Sequence, residues 1–443
     1  MNDQTPSDDS EVGPFSIWFL RGAVGVTALV VAGFLVHATL GLFDTGEQLG
    51  ESDTSGEPET STPDDESTGE TPTTPPTTST APPTSSTPAE TTTSGVPEPS
   101  VDTELMAFVD EAMAFIEATR QRSFVERPVV EVVGVDAMTA IVLDDVRDSL
   151  AADPVAAESS LAFAQAIGFF GPDDDFLDIY EIFVSGGVLG VYFPNSDQLL
   201  VRSAGALTLS TKATIVHELV HAFDDQHFDL DRDELRVDGD VGWAFAAAIE
   251  GSASFVEQAW RATLTPEEAG ELEAEELRFD FGDFLTLDLG FLVYETSVYE
   301  TGRTWIERRI AQEGIAAIDD AVINGAPSSE VVTMPLDAVN LDPVDVVAPT
   351  VDGEVLWEGR GGRALIAALT FLTDPEQIAA TGWGGDAITV YRDRNGAACL
   401  RWDVVGDTKR DTNELLDALR RWVIGIGGSA DMVDGMVRVD RCA

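Results

Sequence analysis

Residues 210–230 read STKATIVHELVHAFDDQHFDL, and the rest of the chain is best approached from this stretch. Val216, Leu219, Val220 and Phe223 recur at helical spacing, and Ser210 or Thr211 is placed to cap the first turn. His217 and His221 stand one turn apart, so both imidazoles leave the same helix face and can share one ion. Glu218 lies to the side of that face, too far round to be a ligand. Its carboxylate can instead take a proton from a water activated by the ion and pass it to a leaving amine. The chain has only four histidines. His37 lies far upstream and the other three fall between 217 and 227, so the pattern does not arise from an abundance of histidine.

A catalytic zinc takes three protein ligands and keeps a position open for water. Two residues compete for the third place. Glu250 lies in WAFAAAIEGSASFVE (243–257), a helical stretch that is otherwise nearly all apolar. A lone carboxylate there is costly unless it is paired or holds a metal. Gly251 lets that helix approach the first closely, and the segment between is long enough to bring it back. The rival, His227, would need the first helix to break sharply near Asp224, where glycine is the usual residue. The apolar setting favours Glu250, leaving His227 near the site or at a helix end. Asp225, two turns after His217, and Glu257, two turns after Glu250, are candidates to accept the outer N–H of a ligand histidine.

The rest of the chain says where such a site works. Lys and Arg total 25 against 80 Asp and Glu, a formal net charge of −55, which excludes nucleic acid as a partner and docking on anionic lipid through a charged patch. The plain reading of the acid is solubility or adaptation to salt; a preference for basic substrates is the sharper one. Gly22–Phe43 is apolar and uncharged and spans about 33 Å as a helix, enough to cross a bilayer. Arg21 is its only nearby basic flank, so the N-terminus is expected inside and the remainder outside. A cleaved signal peptide is the alternative, opposed by the length of the run and its acidic leader. Residues 44–100 form a Thr/Pro/Ser/Glu tract without Lys or Arg, expected to be a solvated stalk with its ends about 40 Å apart as a coil.

From Val101 onward the pattern is globular. VDTELMAFVDEAMAFIEATR predicts a helix and PVVEVVG a strand; GVLGVYF and QLLVRSA predict strands joined at 194–197. Helices dominate from Ser210 to Ile323. AITVYRD and ACLRWDVV flank an Asn395–Gly396 hairpin turn, followed by the helix DTNELLDALRRWV and the strand GMVRVDRC. Cys399 and Cys442, the only cysteines, are expected to bridge in an exported chain and pin the last strand. Asp173, Asp174 and Asp175 are a candidate Ca2+ loop, though such a run is also an ordinary solvated turn.

HELVHAFDDQHFDL followed by EGSA resembles the gluzincins, zinc peptidases with a glutamate third ligand, of which thermolysin is the familiar member. Within them it is similar to a minigluzincin-like branch of small, often exported or membrane-anchored proteins. The resemblance continues through VYETGRTWIERRIAQEG, APSSEVVTMP and GWGGDAITVY, so that it spans most of 101–443 with the zinc motif and EGSA its specific parts. It implies His217, His221 and Glu250 as zinc ligands and Glu218 as the base. It also implies an α+β, zincin-like fold: a mixed upper sheet, an active-site helix, a Glu-bearing helix and a C-terminal hairpin and helix lobe. The sheet's edge strand would pair with an extended substrate, and GVYFPNSDQLLVRSA (190–204) is placed to be it. Such enzymes use Tyr or His to stabilise the oxyanion; Tyr299 is the candidate here, with His227 second.

The expected organisation is a cytoplasmic tail (1–21), a membrane anchor (22–43), a stalk (44–100), an extracytoplasmic catalytic domain (101–345) and a C-terminal lobe (346–443). The expected reaction is peptide hydrolysis. A surface binding module that keeps an inert metal site is the competing class.

Overall fold

The structure is a computed structural model that describes residues 24–28, 101–232, 239–335, 338, 342–374 and 377–443. Two sheets and a set of helices make an α+β architecture. The tail, the stalk and nearly all of the 22–43 segment lie outside the described residues. Val24–Ala28 is the described part of that segment, and it forms a strand, β1. Among the described residues no helix is long and apolar enough to cross a membrane.

After β1 come helix α1 (Val101–Arg120), strand β2 (Val129–Val133), helices α2 (Val135–Ala152), α3 (Pro154–Ile167) and α4 (Phe176–Gly187), and strands β3 (Val188–Phe193) and β4 (Gln198–Arg202). The first sheet has the order β1-β3-β4-β2: β2 runs parallel to β4, and the other pairings are antiparallel. The hairpin predicted at 194–197 is therefore real, but β4 is an interior strand and the outer edge of β3 carries β1. The helices α2 to α4 went unread in the sequence. Asp153 caps α3 ahead of Pro154, and Asp175 caps α4 by accepting the Leu177 N–H, so their start signals are local.

The motif helix is α5 (Leu209–Phe228). Its cap is Thr208, whose side chain accepts from the Thr211 N–H, two or three residues earlier than Ser210 or Thr211 would have placed it. Val216, Leu219, Val220 and Phe223 are fully buried. Each contributes about 1.5–3 kcal/mol of burial, which anchors the helix under the first sheet. Helix α6 (Gly239–Arg261) follows, then α7 (Pro266–Glu276), opened by a Thr265–Glu268 capping box, and a short 3-10 turn. Helix α8 (Leu289–Glu313) lies against α6. The Trp243 indole donates to the Tyr294 carbonyl, and eight residues further along each helix Gly251 meets Gly302, so the two run parallel.

Two short helices, α9 (Ala317–Asn324) and α10 (Ser329–Thr333), lead to the second sheet. It comprises β5 (Glu354–Gly359), β6 (Trp383–Arg392), β7 (Ala398–Gly406), β8 (Ser429–Val433) and β9 (Met436–Cys442) in the antiparallel order β5-β6-β7-β9-β8. Helices α11 (Gly362–Thr370), α12 (Ile378–Thr381) and α13 (Lys409–Gly425) complete the chain. Cys399 opposes Cys442 across the β7–β9 ladder and the two are bridged. One apolar core runs from Val191 of β3 through Trp243 and Phe291 to Trp402 of β7.

Candidate metal centre

The site is built where α5, α6 and α8 meet. His217, His221 and Glu250 are all buried, and one ligand atom from each lies within 4.8 Å of the others. The two imidazole centroids are 4.9 Å apart, as an i, i+4 pair on one helix face requires. Glu250 Oε2 lies 3.0 Å from His217 Nε2 and 3.5 Å from His221 Nε2. Neither ring nitrogen of buried His221 has a hydrogen-bond partner. A buried imidazole without partners is costly, and a metal on Nε2 would remove that cost. The donor set, two nitrogens and one carboxylate with no thiolate, suits zinc at an open, three-ligand site.

Glu257 holds the first ligand from behind. Its Oε2 is 3.0 Å from His217 Nδ1, while its Oε1 accepts from Arg261 Nε at 2.7 Å. Arg261 in turn pairs with Glu276 of α7. This is the orienting role open to Asp225 or Glu257, and the geometry gives it to Glu257. Asp225 points elsewhere: it accepts from the Tyr192 hydroxyl at 2.8 Å and from the Leu230 N–H at 2.7 Å, which closes the end of α5.

The charges are mutually dependent. Burial opposes ionisation of Glu257, but Arg261 and His217 outweigh it and hold its carboxyl down at about 2. Burial also pushes the His217 imidazole down, yet its hydrogen bonds to Glu250 and Glu257 prevail and raise it to about 10.

His227 is excluded from the cluster. Helix α5 continues unbroken to Phe228, and the His227 Nε2 lies 3.0 Å from the Ser123 carbonyl. Asp224, where a break would be needed, is wholly buried within the helix. It pairs with Arg120 Nη1 at 2.6 Å and accepts from the Ser252 hydroxyl at 2.7 Å. Arg120 also donates to Ser252 at 3.1 Å. A single guanidinium at the end of α1 therefore locks the histidine helix to the glutamate helix. Neither Arg120 nor Ser252 was singled out from sequence, because nothing local distinguishes them.

Tyr299 is in place. Its half-buried ring lies 5.9 Å, centroid to centroid, from that of His217. The glycine contact between α6 and α8 brings it there: a Cβ on Gly302 would lie 1.9 Å from the Ala247 carbonyl oxygen, so only glycine permits this crossing. Two of the 173–175 acids bond to nearby backbone. Asp174 accepts from the Gly171 N–H and Asp175 from the Leu177 N–H, as expected of a turn and a helix cap.

A family model described as a domain of unknown function, DUF8575, matches residues 349–441. That stretch carries β5 to β9 and none of the metal-centre residues. No curated protein and no solved structure matches the chain.

Proposed function

We propose that this chain is a gluzincin-type zinc metallopeptidase, anchored in the membrane by residues 22–43, with its catalytic region outside the cytoplasm. The observation that carries the reading is the convergence of His217, His221 and Glu250 on one point, with Glu257 behind and Glu218 buried alongside. Zinc, when bound, would supply a Lewis acid for the attacking water and the scissile carbonyl. Glu218 takes the proton of that water and delivers it to the leaving amine. Tyr299 donates its hydroxyl to the carbonyl oxygen as charge develops there. Glu257 keeps His217 in one tautomer and orientation throughout.

An extended peptide would lie along β3 as an added strand. Val24–Ala28 pairs with that edge in the structure. Insertion of 22–43 into a bilayer takes those five residues off the sheet and leaves the edge for substrate.

The deciding experiment is metal content and hydrolysis of a quenched-fluorescent peptide library by the purified full chain. Expected are one zinc per chain, loss of zinc in Glu250→Ala, retention in His227→Ala, and a Glu218→Gln variant that binds zinc but does not cleave. Zinc without cleavage of any peptide would favour an inert binding module, and no zinc uptake at all would end the metalloenzyme reading.

A further inference from the structure

We propose that Gly190, in the middle of β3, is a positioning residue for Glu218: the missing side chain creates the space in which the base's carboxylate is held. The inference deepens the peptidase reading and rests on it.

The argument begins with strand periodicity. Val188, Gly190 and Tyr192 share one face of β3, because alternate residues of a strand point the same way. Val188 and Tyr192 are fully buried, so Gly190 is a gap in a buried stripe. Its φ is not in the left-handed region, and it pairs in regular antiparallel register with Val201, so backbone conformation does not call for glycine. Space does. An ideal Cβ at 190 would lie 2.7 Å from Glu218 Cγ, 2.7 Å from Glu218 Oε1 and 2.6 Å from Thr214 Cγ2. Real Cβ atoms do not approach other atoms so closely, so an alanine forces something to move.

Thr214 and Glu218 are one turn apart on α5, and together they fill the gap. The Thr214 hydroxyl donates to the Ser210 carbonyl at 3.1 Å, so turning its methyl away breaks that bond. The strand itself is held on one side by the β4 ladder. A Cβ at 190 meets both Cγ and Oε1 of Glu218, so relief of the clash displaces that side chain and misplaces the base. A shift of about 1 Å in a reacting group is enough to cost a hundredfold in rate. The three atoms nearest that Cβ belong to Thr214 and Glu218, none to the histidines or Glu250, so metal binding is expected to survive.

The test compares the full chain carrying Gly190→Ala, in wild-type and Glu218→Ala backgrounds, each with and without Thr214→Ser. Zinc content, kcat and KM on a fluorogenic peptide, and the urea midpoint are measured. Gly190→Ala should keep one zinc per chain and a KM within about twofold of wild type, with kcat reduced by about a hundredfold. Its urea midpoint should fall, and, with the Thr214 methyl removed by Thr214→Ser, should fall far less when Glu218 is already alanine, because both clashing groups are then gone. Equal midpoint shifts in the Glu218 and Glu218→Ala backgrounds, both carrying Thr214→Ser, would overturn the inference without reference to activity. So would a zinc-loaded Gly190→Ala enzyme as fast as wild type, which would leave the peptidase reading standing. A wild type that cleaves no peptide would instead remove the peptidase reading and this inference with it.

Discussion

At the scale of single residues, the centre depends on carboxylates doing different work in one buried space. Glu250 faces both histidines, Glu257 grips one of them from behind, and Glu218 lies against the first sheet beneath Gly190. Replacing Glu257 by Gln leaves an acceptor for the His217 N–H but removes the charge. Zinc affinity, measured against a competing chelator, should fall about 10- to 100-fold with the fold unchanged. Tyr299→Phe removes only the hydroxyl of a ring that packs near His217. The expected result is a kcat lowered about a hundredfold or more with KM and zinc content preserved. An unchanged kcat would make Tyr299 a packing residue. The placement of His217, His221 and Glu218 is legible in sequence because i, i+1 and i+4 on a helix settle their relative directions. Glu250 is legible because a carboxylate in an apolar helix calls for a reason. The choice between Asp225 and Glu257 is not, since both have the right spacing and only the tertiary arrangement shows which one faces a ring nitrogen.

At the scale of elements, the site is a contact among three helices, and small residues set its dimensions. Gly251 of α6 and Gly302 of α8 meet where the Tyr299-bearing helix passes the Glu250-bearing helix. Gly302→Ala drives a methyl into the Ala247 carbonyl, so the helices must part. A loss of about 3 kcal/mol in urea unfolding is expected, with Tyr299 withdrawn from His217. Gly251 was expected to bring the Glu250 helix against the motif helix α5, but the backbone it meets is that of Gly302 in α8, fifty-one positions downstream and without a local mark. Arg120 is a stronger case of the same difficulty. Its charge is buried between Asp224 and Ser252 to hold α5 and α6 together, yet it reads in sequence as the basic last turn of an ordinary helix. The helices α2 to α4 escaped for a different reason: their apolar positions are interrupted by short polar runs, and their identity rests on caps at Asp153 and Asp175.

At the scale of the whole molecule, the second sheet shares its apolar core with the part that carries the His217–His221–Glu250 cluster, so changes in one reach the other. The Cys399–Cys442 bridge closes a loop with a sequence separation of 43, which by chain entropy is worth about 4 kcal/mol. Reduction with dithiothreitol should therefore lower the urea midpoint, and a Cys399→Ser/Cys442→Ser variant should lower it equally while losing sensitivity to the reductant. Glu330 of α10 supplies a pH dependence. Burial raises its carboxyl from an ordinary 4.5 to about 7, helped by Asp407 and opposed by Arg363. Between those values the folded chain holds a proton that the unfolded chain has released. Its stabilisation is complete below pH 4.5 and is lost as pH rises through about 7. Urea midpoints at pH 5 and pH 8 should differ less in Glu330→Gln than in wild type.

The sequence by itself determined what propagates along the backbone or falls on one helix face. The histidine pair and its neighbouring base, the 194–197 turn and the C-terminal hairpin are of this kind. Helical and strand periodicities carry that information over a few residues. Tertiary structure alone decided which groups meet across long separations: Glu257 on His217, Arg120 between two helices, Gly302 against Gly251, and Gly190 over the base. Those contacts depend on how elements cross, and crossing is set by the shapes of buried surfaces that form only when the whole core closes.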